Sequence, residues 1–86
     1  MSLPANLKNF ADRTGRVVRL PVKWAKKAEL AEWLLTLLDP EATYTEIEIN
    51  EIFERYVDDF ALMRRLLVDS GKLSREIDCS AYWVAK

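Results

Sequence analysis

Residues 44–83 read YTEIEINEIFERYVDDFALMRRLLVDSGKLSREIDCSAYW, and this stretch decides the fold. Thr45 is followed three residues later by Glu48, the spacing of a capping box. The Thr45 hydroxyl can accept from the Glu48 amide while the Glu48 carboxylate reaches back to the Thr45 amide. Tyr44 just outside and Ile49 just inside are placed as a hydrophobic staple. Ile49, Ile52, Phe53 and Tyr56 recur at helical spacing and form an inner face, which leaves Ile47 outside. A turn at Tyr56-Val57-Asp58-Asp59 leads into a second amphipathic run, capped by Asp58 or Asp59. Phe60, Met63 and Leu67 make its buried stripe. Its other face presents Leu62, Arg65, Leu66 and Asp69, with Arg64 on the flank, and Gly71 ends it. Beyond Gly71, Leu73, Arg75 and Ile77 alternate with Ser74 and Glu76. Asp78-Cys79-Ser80 turns and Tyr82-Trp83-Val84 returns, which is a β-hairpin.

Upstream, Lys26 to Leu38 carries Leu30, Trp33, Leu34 and Leu37 on one helical stripe with Leu38 beside it, and Pro40 stops the helix at Asp39. Helix, helix, helix, hairpin is the order of a winged helix. The expected fold class is therefore α+β and winged-helix-like, three helices plus a C-terminal β-hairpin. Val17-Val18-Arg19-Leu20 is a short β-branched run stopped by Pro21 and reads as a short N-terminal edge strand. A two-stranded hairpin is marginal alone, so this segment is a candidate third strand, the alternative being a hairpin laid on the helices. Residues 1–16 hold turn formers (Pro4, Asn6, Asn9, Asp12, Thr14, Gly15) and no sustained period. They read as an N-terminal arm, with residues 17–86 as a single domain. Trp24, Trp33, Trp83, Tyr82 and Phe60 are expected to fill the core of so small a unit.

The 86 residues suit one domain, half hydrophobic and nearly a third charged. No run approaches the length of a membrane span, and the N-terminus lacks the apolar core of a secretory signal. Cys79, the lone cysteine, has no internal disulfide partner, so the expected compartment is the cytoplasm. The net charge of −1 hides an asymmetry. Residues 1–27 carry Lys8, Arg13, Arg16, Arg19, Lys23, Lys26 and Lys27 against Asp12 alone, while the remainder holds thirteen acids against six bases. An anionic partner should meet the N-terminal part first. The overall acidity, a pI of about 5.4, counts against nucleic acid as a partner.

Catalysis has little to work with. Without histidine there is no imidazole base, no Ser–His or Cys–His pair and no histidine metal site. Asp58-Asp59 is the nearest thing to a paired carboxylate, and a helix cap is its ordinary role. Cys79 lacks the resolving thiol of a redox sensor. Gly15 and Gly71, the two glycines, cannot build a phosphate loop. The expectation is a non-enzymatic protein with no metal and no cofactor.

The pattern Thr14-Gly15-Arg16…Leu20-Pro21-Val22-Lys23, then Tyr44-Thr45-Glu46-x-Glu48-Ile49-Asn50-Glu51-Ile52, continues through Asp58-Asp59-Phe60-Ala61-x-Met63-Arg64-Arg65-x-Leu67-Val68-Asp69-x-Gly71 to Tyr82-Trp83. It resembles an uncharacterised bacterial domain-of-unknown-function family, found alone or joined to arsenic-repressor-type helix-turn-helix transcriptional regulators. The resemblance implies a small winged-helix-like domain tied to transcription, and it supplies no catalytic or ligand residue. Leu62 and Leu66 stand where the family tends to be polar, Ile47 where it tends to be charged, and Cys79 where its wing turn is commonly glycine.

Two functions follow as expectations. The first is a bacterial transcriptional-regulator domain that binds duplex DNA. Its contacts are a basic arm (Arg16, Arg19, Lys23, Lys26, Lys27), the third helix (Arg64, Arg65) and the wing (Lys72, Arg75). Lysine and arginine supply phosphate contacts, and the arginine fork matches guanine. The alternative is a protein-interaction module that does not bind DNA, associating as a homodimer or with another regulator through Ile47, Leu62 and Leu66.

Overall fold

The computed structural model describes residues 3–85. The chain passes through a 3-10 turn (Ala5–Phe10), helices α1 (Trp24–Leu35), α2 (Glu46–Glu54) and α3 (Phe60–Asp69), and strands β1 (Leu73–Arg75) and β2 (Tyr82–Val84). Three helices and an antiparallel hairpin make the α+β fold that the sequence pattern implies. No helix among the described residues is long and apolar enough to cross a membrane.

Local signals set the helix ends. Both arms of the capping box form: the Glu48 amide donates to the Thr45 hydroxyl at 3.1 Å and the Thr45 amide to Glu48 Oε1 at 2.8 Å. The Asp59 carboxylate caps α3 by accepting from the Leu62 amide at 3.3 Å. At the far end Gly71 turns left-handed, φ +77°. The Lys72 amide then reaches the Leu67 carbonyl at 2.9 Å and the Gly71 amide the Val68 carbonyl at 3.0 Å, a Schellman closure. Helix α1 starts at Trp24, before the expected Lys26, and its last turn tightens. The Leu37 and Leu38 amides bond three residues back, to Leu34 and Leu35, before Pro40 stops the chain.

In the hairpin Leu73 pairs with Val84, Ser74 with Trp83 and Arg75 with Tyr82. A third segment joins on the other side of β2 at Tyr44, whose amide and carbonyl exchange bonds of 2.8 and 2.7 Å with Tyr82. The expected edge strand at Val17–Leu20 does not form. Val17 instead makes isolated bridges to Ala11 and Val57, and its amide and carbonyl are satisfied by Tyr56 (2.6 Å) and Asp58 (3.0 Å). With Tyr44 on the open edge of β2 and Val17 bound to the α2–α3 turn, neither the edge nor the backbone of Val17 is free to extend a ladder.

The core gathers Leu30, Ala31 and Leu34 from α1, Ile49 and Phe53 from α2, Met63 and Leu67 from α3, and Leu73 and Tyr82 from the hairpin. Two expectations change here. Leu3 and Leu7 also belong to this core, so residues 3–16 are part of the domain and not a separate arm. Their burial removes apolar surface from water, which outweighs the absence of a helical period. Trp24 is the second: it is 67 % exposed, while Tyr82 is buried and Trp33, Phe60 and Trp83 are half-buried. Trp33 meets Tyr56 edge to face, with ring centroids 5.0 Å apart.

Candidate functional site

Most of the cations that would be expected to meet DNA already have work inside the fold. Arg16 lies across the α2–α3 turn. Its Nε donates to the Glu54 carbonyl at 2.8 Å, its Nη2 to the Val57 carbonyl at 3.5 Å, and its guanidinium pairs with Asp58. Arg64, with a side chain 12 % exposed, bonds Asn50 and pairs with Glu46 at 3.2 Å, both on α2. Glu46 Oε1 also accepts from the Tyr82 hydroxyl at 3.0 Å. Burial first, then the contacts with Cys79 and Glu46, push that phenol up to about 12. Arg64 therefore ties α3 to α2 and, through Glu46, to β2; it does not project toward a groove.

The wing cations are engaged too. Lys72 pairs with Glu32 on α1. Arg75 Nη1 lies 3.3 Å from the carbonyls of Glu76 and Ile77 and 3.2 Å from Cys79 Sγ, closing the hairpin loop on itself. Lys26 faces Glu29 at 3.5 Å, one turn along α1. Of the residues singled out from sequence, Arg19, Lys23, Lys27 and Arg65 make no ion pair among the described residues.

Lys23 and Lys27 stand at the amino end of α1, and Arg19 lies on the segment that leads into it. Lys23 is the N-cap residue and provides no side-chain acceptor, and the first turn contains no acid. The leading amides of that helix are thus uncapped, and the positive end of its dipole stands beside three lysines, Lys23, Lys26 and Lys27. Thr45 and Asp59 cap the amino ends of α2 and α3. The same edge exposes Val18 (51 %), Val22 (93 %) and Trp24 (67 %). Sequence reasoning assigned Trp24 to the core. The signal it passed over is the interleaving of Val18, Val22 and Trp24 with Arg19, Lys23 and Lys27.

Helix α3 offers little to a groove. Only Arg65 and Asp69, one turn apart and of opposite charge, are exposed on it. Leu62 and Leu66 are half-buried and packed on the core, and Leu66 lies with Trp24, Ala28 and Ala31 of α1 around one small cleft. Ile47, 69 % exposed on α2, is the only one of the three expected interface residues on the open surface. The structure does not bring Ile47, Leu62 and Leu66 into one exposed patch, because α1 packs along the face of α3 that carries Leu66. Ile47 is surrounded along α2 by exposed Glu48, Glu51 and Glu54.

A family model described as an uncharacterized protein conserved in bacteria (DUF2087) matches residues 16–84. No curated protein and no solved structure matches the chain.

Proposed function

We propose that this chain, which belongs to that family of uncharacterized proteins conserved in bacteria, is a non-enzymatic domain of a transcriptional regulator that holds duplex DNA through the amino end of α1. The observation that carries this reading is the uncapped first turn of α1, free of acids and set among Arg19, Lys23, Lys26 and Lys27. Helix amino ends with open amides bind phosphate, and lysine and arginine beside them add the counterion-releasing contacts that give nucleic-acid affinity. Exposed Trp24 and Val22 provide apolar surface against sugar or base edges. Arg65 is the cation of α3 that, among the described residues, is free to reach the same ligand.

This arrangement favours affinity over sequence reading. With Arg64 committed to Glu46 and Asn50, and Asp69 next to Arg65, base-edge contacts from α3 are few. Titration of a fluorescent pool of random duplexes at low and near-physiological salt tests the reading. Binding should fall steeply with salt, and replacing Arg19, Lys23 and Lys27 together by alanine should weaken it for every sequence. The slope of log affinity against log salt should drop by about 2–3, near 0.9 for each phosphate that the variant no longer neutralises. Duplex binding unchanged in that variant would overturn the assignment of the α1 end.

A second reading, a protein-interaction module on the same scaffold, is favoured by α2. Glu48, Glu51 and Glu54 around exposed Ile47 form an acidic face opposite in sign to the α1 end. Absence of duplex binding even at low salt would leave this reading in place of the first.

A further inference from the structure

A cleft of about 340 Å³ that shares no lining residue with the α1 end lies between the N-terminal segment and the end of α2. Leu3, Ala11 and Tyr56 form its apolar wall, and Lys8, Arg13 and Arg55 stand around it. Its size is within the range of small-molecule sites, roughly 300–1,000 Å³. The three cations are exposed and make no ion pair among the described residues. The one acid in the lining, Asp12, is occupied by its own turn. Its Oδ1 accepts from the Thr14 hydroxyl at 2.6 Å and from the amides of Thr14 (2.8 Å) and Arg16 (3.1 Å). Those bonds, the Thr14 hydroxyl first, hold its carboxyl below the ordinary range and keep it charged and turned toward the backbone.

Carbonyls at this end of α2 would repel an anion, but those of Phe53, Glu54 and Tyr56 are taken. Glu54 O accepts from Arg16, Phe53 O from the amides of Tyr56 and Val57, and Tyr56 O from Val17. What remains open to the cleft is positive charge beside an apolar wall. Three cations against the single charge of Asp12 leave the concave surface net positive, and an anion joining them relieves their mutual repulsion.

We propose that this cleft is a binding site for a small organic anion, a phosphate or carboxylate head on an apolar body. The forked guanidinium groups of Arg13 and Arg55 suit either head, and Leu3, Ala11 and Tyr56 cover the body. The cleft lies at a seam: Arg55 and Tyr56 fall within the family match at residues 16–84, whereas Leu3 to Gly15 precede it. The site is thus made where this chain's own N-terminal segment closes over the family domain. Gly15, φ +86°, turns the chain directly from the cleft into Arg16 and Val17, which brace the α2–α3 turn. An occupant therefore sits against the brace of the helix-turn-helix. The proposal does not depend on DNA binding.

The test is a titration of the full chain with phenyl phosphate, followed by proton–nitrogen correlation NMR. Benzoate serves as the carboxylate arm, inorganic phosphate as the head without a body, and benzyl alcohol as the body without a charge. Saturable shifts at the Thr14, Gly15 and Tyr56 amides with phenyl phosphate or benzoate are expected, and inorganic phosphate and benzyl alcohol should bind at least several-fold more weakly. Whichever of the two aryl anions binds tighter names the head. The double variant Arg13→Ala, Arg55→Ala should raise the dissociation constant about tenfold, through removal of the charge-assisted bonds, without moving the melting temperature. No saturable shift at these amides, or shifts that survive in the double variant, would overturn the site. So would loss of duplex affinity in the double variant without any aryl-anion binding, which would assign these cations to a nucleic-acid face.

Discussion

Cys79 adopts φ +63°, a left-handed conformation that disfavours a side chain with a Cβ. The Arg75 guanidinium reaches its sulfur and the two neighbouring carbonyls, so the wing loop is closed by side-chain bonds around a strained backbone. Left-handed strain of about 1–2 kcal/mol exceeds the extra chain entropy of a glycine, about 0.5–1 kcal/mol. Cys79→Gly should therefore stabilise the fold by about 0.5–1 kcal/mol and raise the melting temperature by a few degrees. A lower melting temperature would mean that the sulfur's contact with Arg75 outweighs the strain. At this scale the position of the wing turn was legible as Asp78-Cys79-Ser80. The bond from Arg75 was not, because a rotamer aimed back into the loop leaves no trace in the order of residues.

Between elements, Arg64 and Arg65 are adjacent in sequence and unlike in role. Arg64 links α3 to Glu46 and Asn50 of α2 with its side chain largely covered, while Arg65 points to solvent. Arg64→Ala should cost about 1.5–3 kcal/mol, since it removes charge-assisted bonds and leaves Glu46 with only the Tyr82 hydroxyl. Arg65→Ala should stay within about 0.5 kcal/mol. Chemical denaturation of both variants separates the two. Equal stabilities would show that the α2–α3 tie contributes nothing net. The caps at Thr45 and Asp59 and the stop at Gly71 were legible because each bonds within a few residues of itself. Val17 was read as a strand because β-branching and Pro21 describe the local backbone alone, while its actual partners, Tyr56 and Asp58, lie about forty residues on.

Over the whole molecule the radius of gyration is 12.4 Å, against about 12 Å expected for a compact chain of this length. A trailing arm of sixteen residues would raise that figure. The N-terminal segment instead lies on the body through Leu3 and Leu7, which are 6 % and 2 % exposed. Leu7→Ala should then cost about 2–5 kcal/mol, as for any large-to-small change in a core. Denaturant unfolding measures it, and a change within about 0.5 kcal/mol, the size of an ordinary surface effect, would mean that the segment is not held.

Periodicity, capping and turn residues are short-range physics, so the chain order by itself determined three helices, the caps of α2 and α3 and the hairpin. It also determined that positive charge concentrates in residues 1–27. Which of those charges are free was decided only by tertiary structure. Arg16 was drawn to Asp58, Arg64 to Glu46 and Lys72 to Glu32 by partners from distant parts of the chain. The same holds for exposure. Whether Leu7 is covered and Trp24 left in water depends on how much core surface the other elements leave open, a sum over the whole fold that no local window contains.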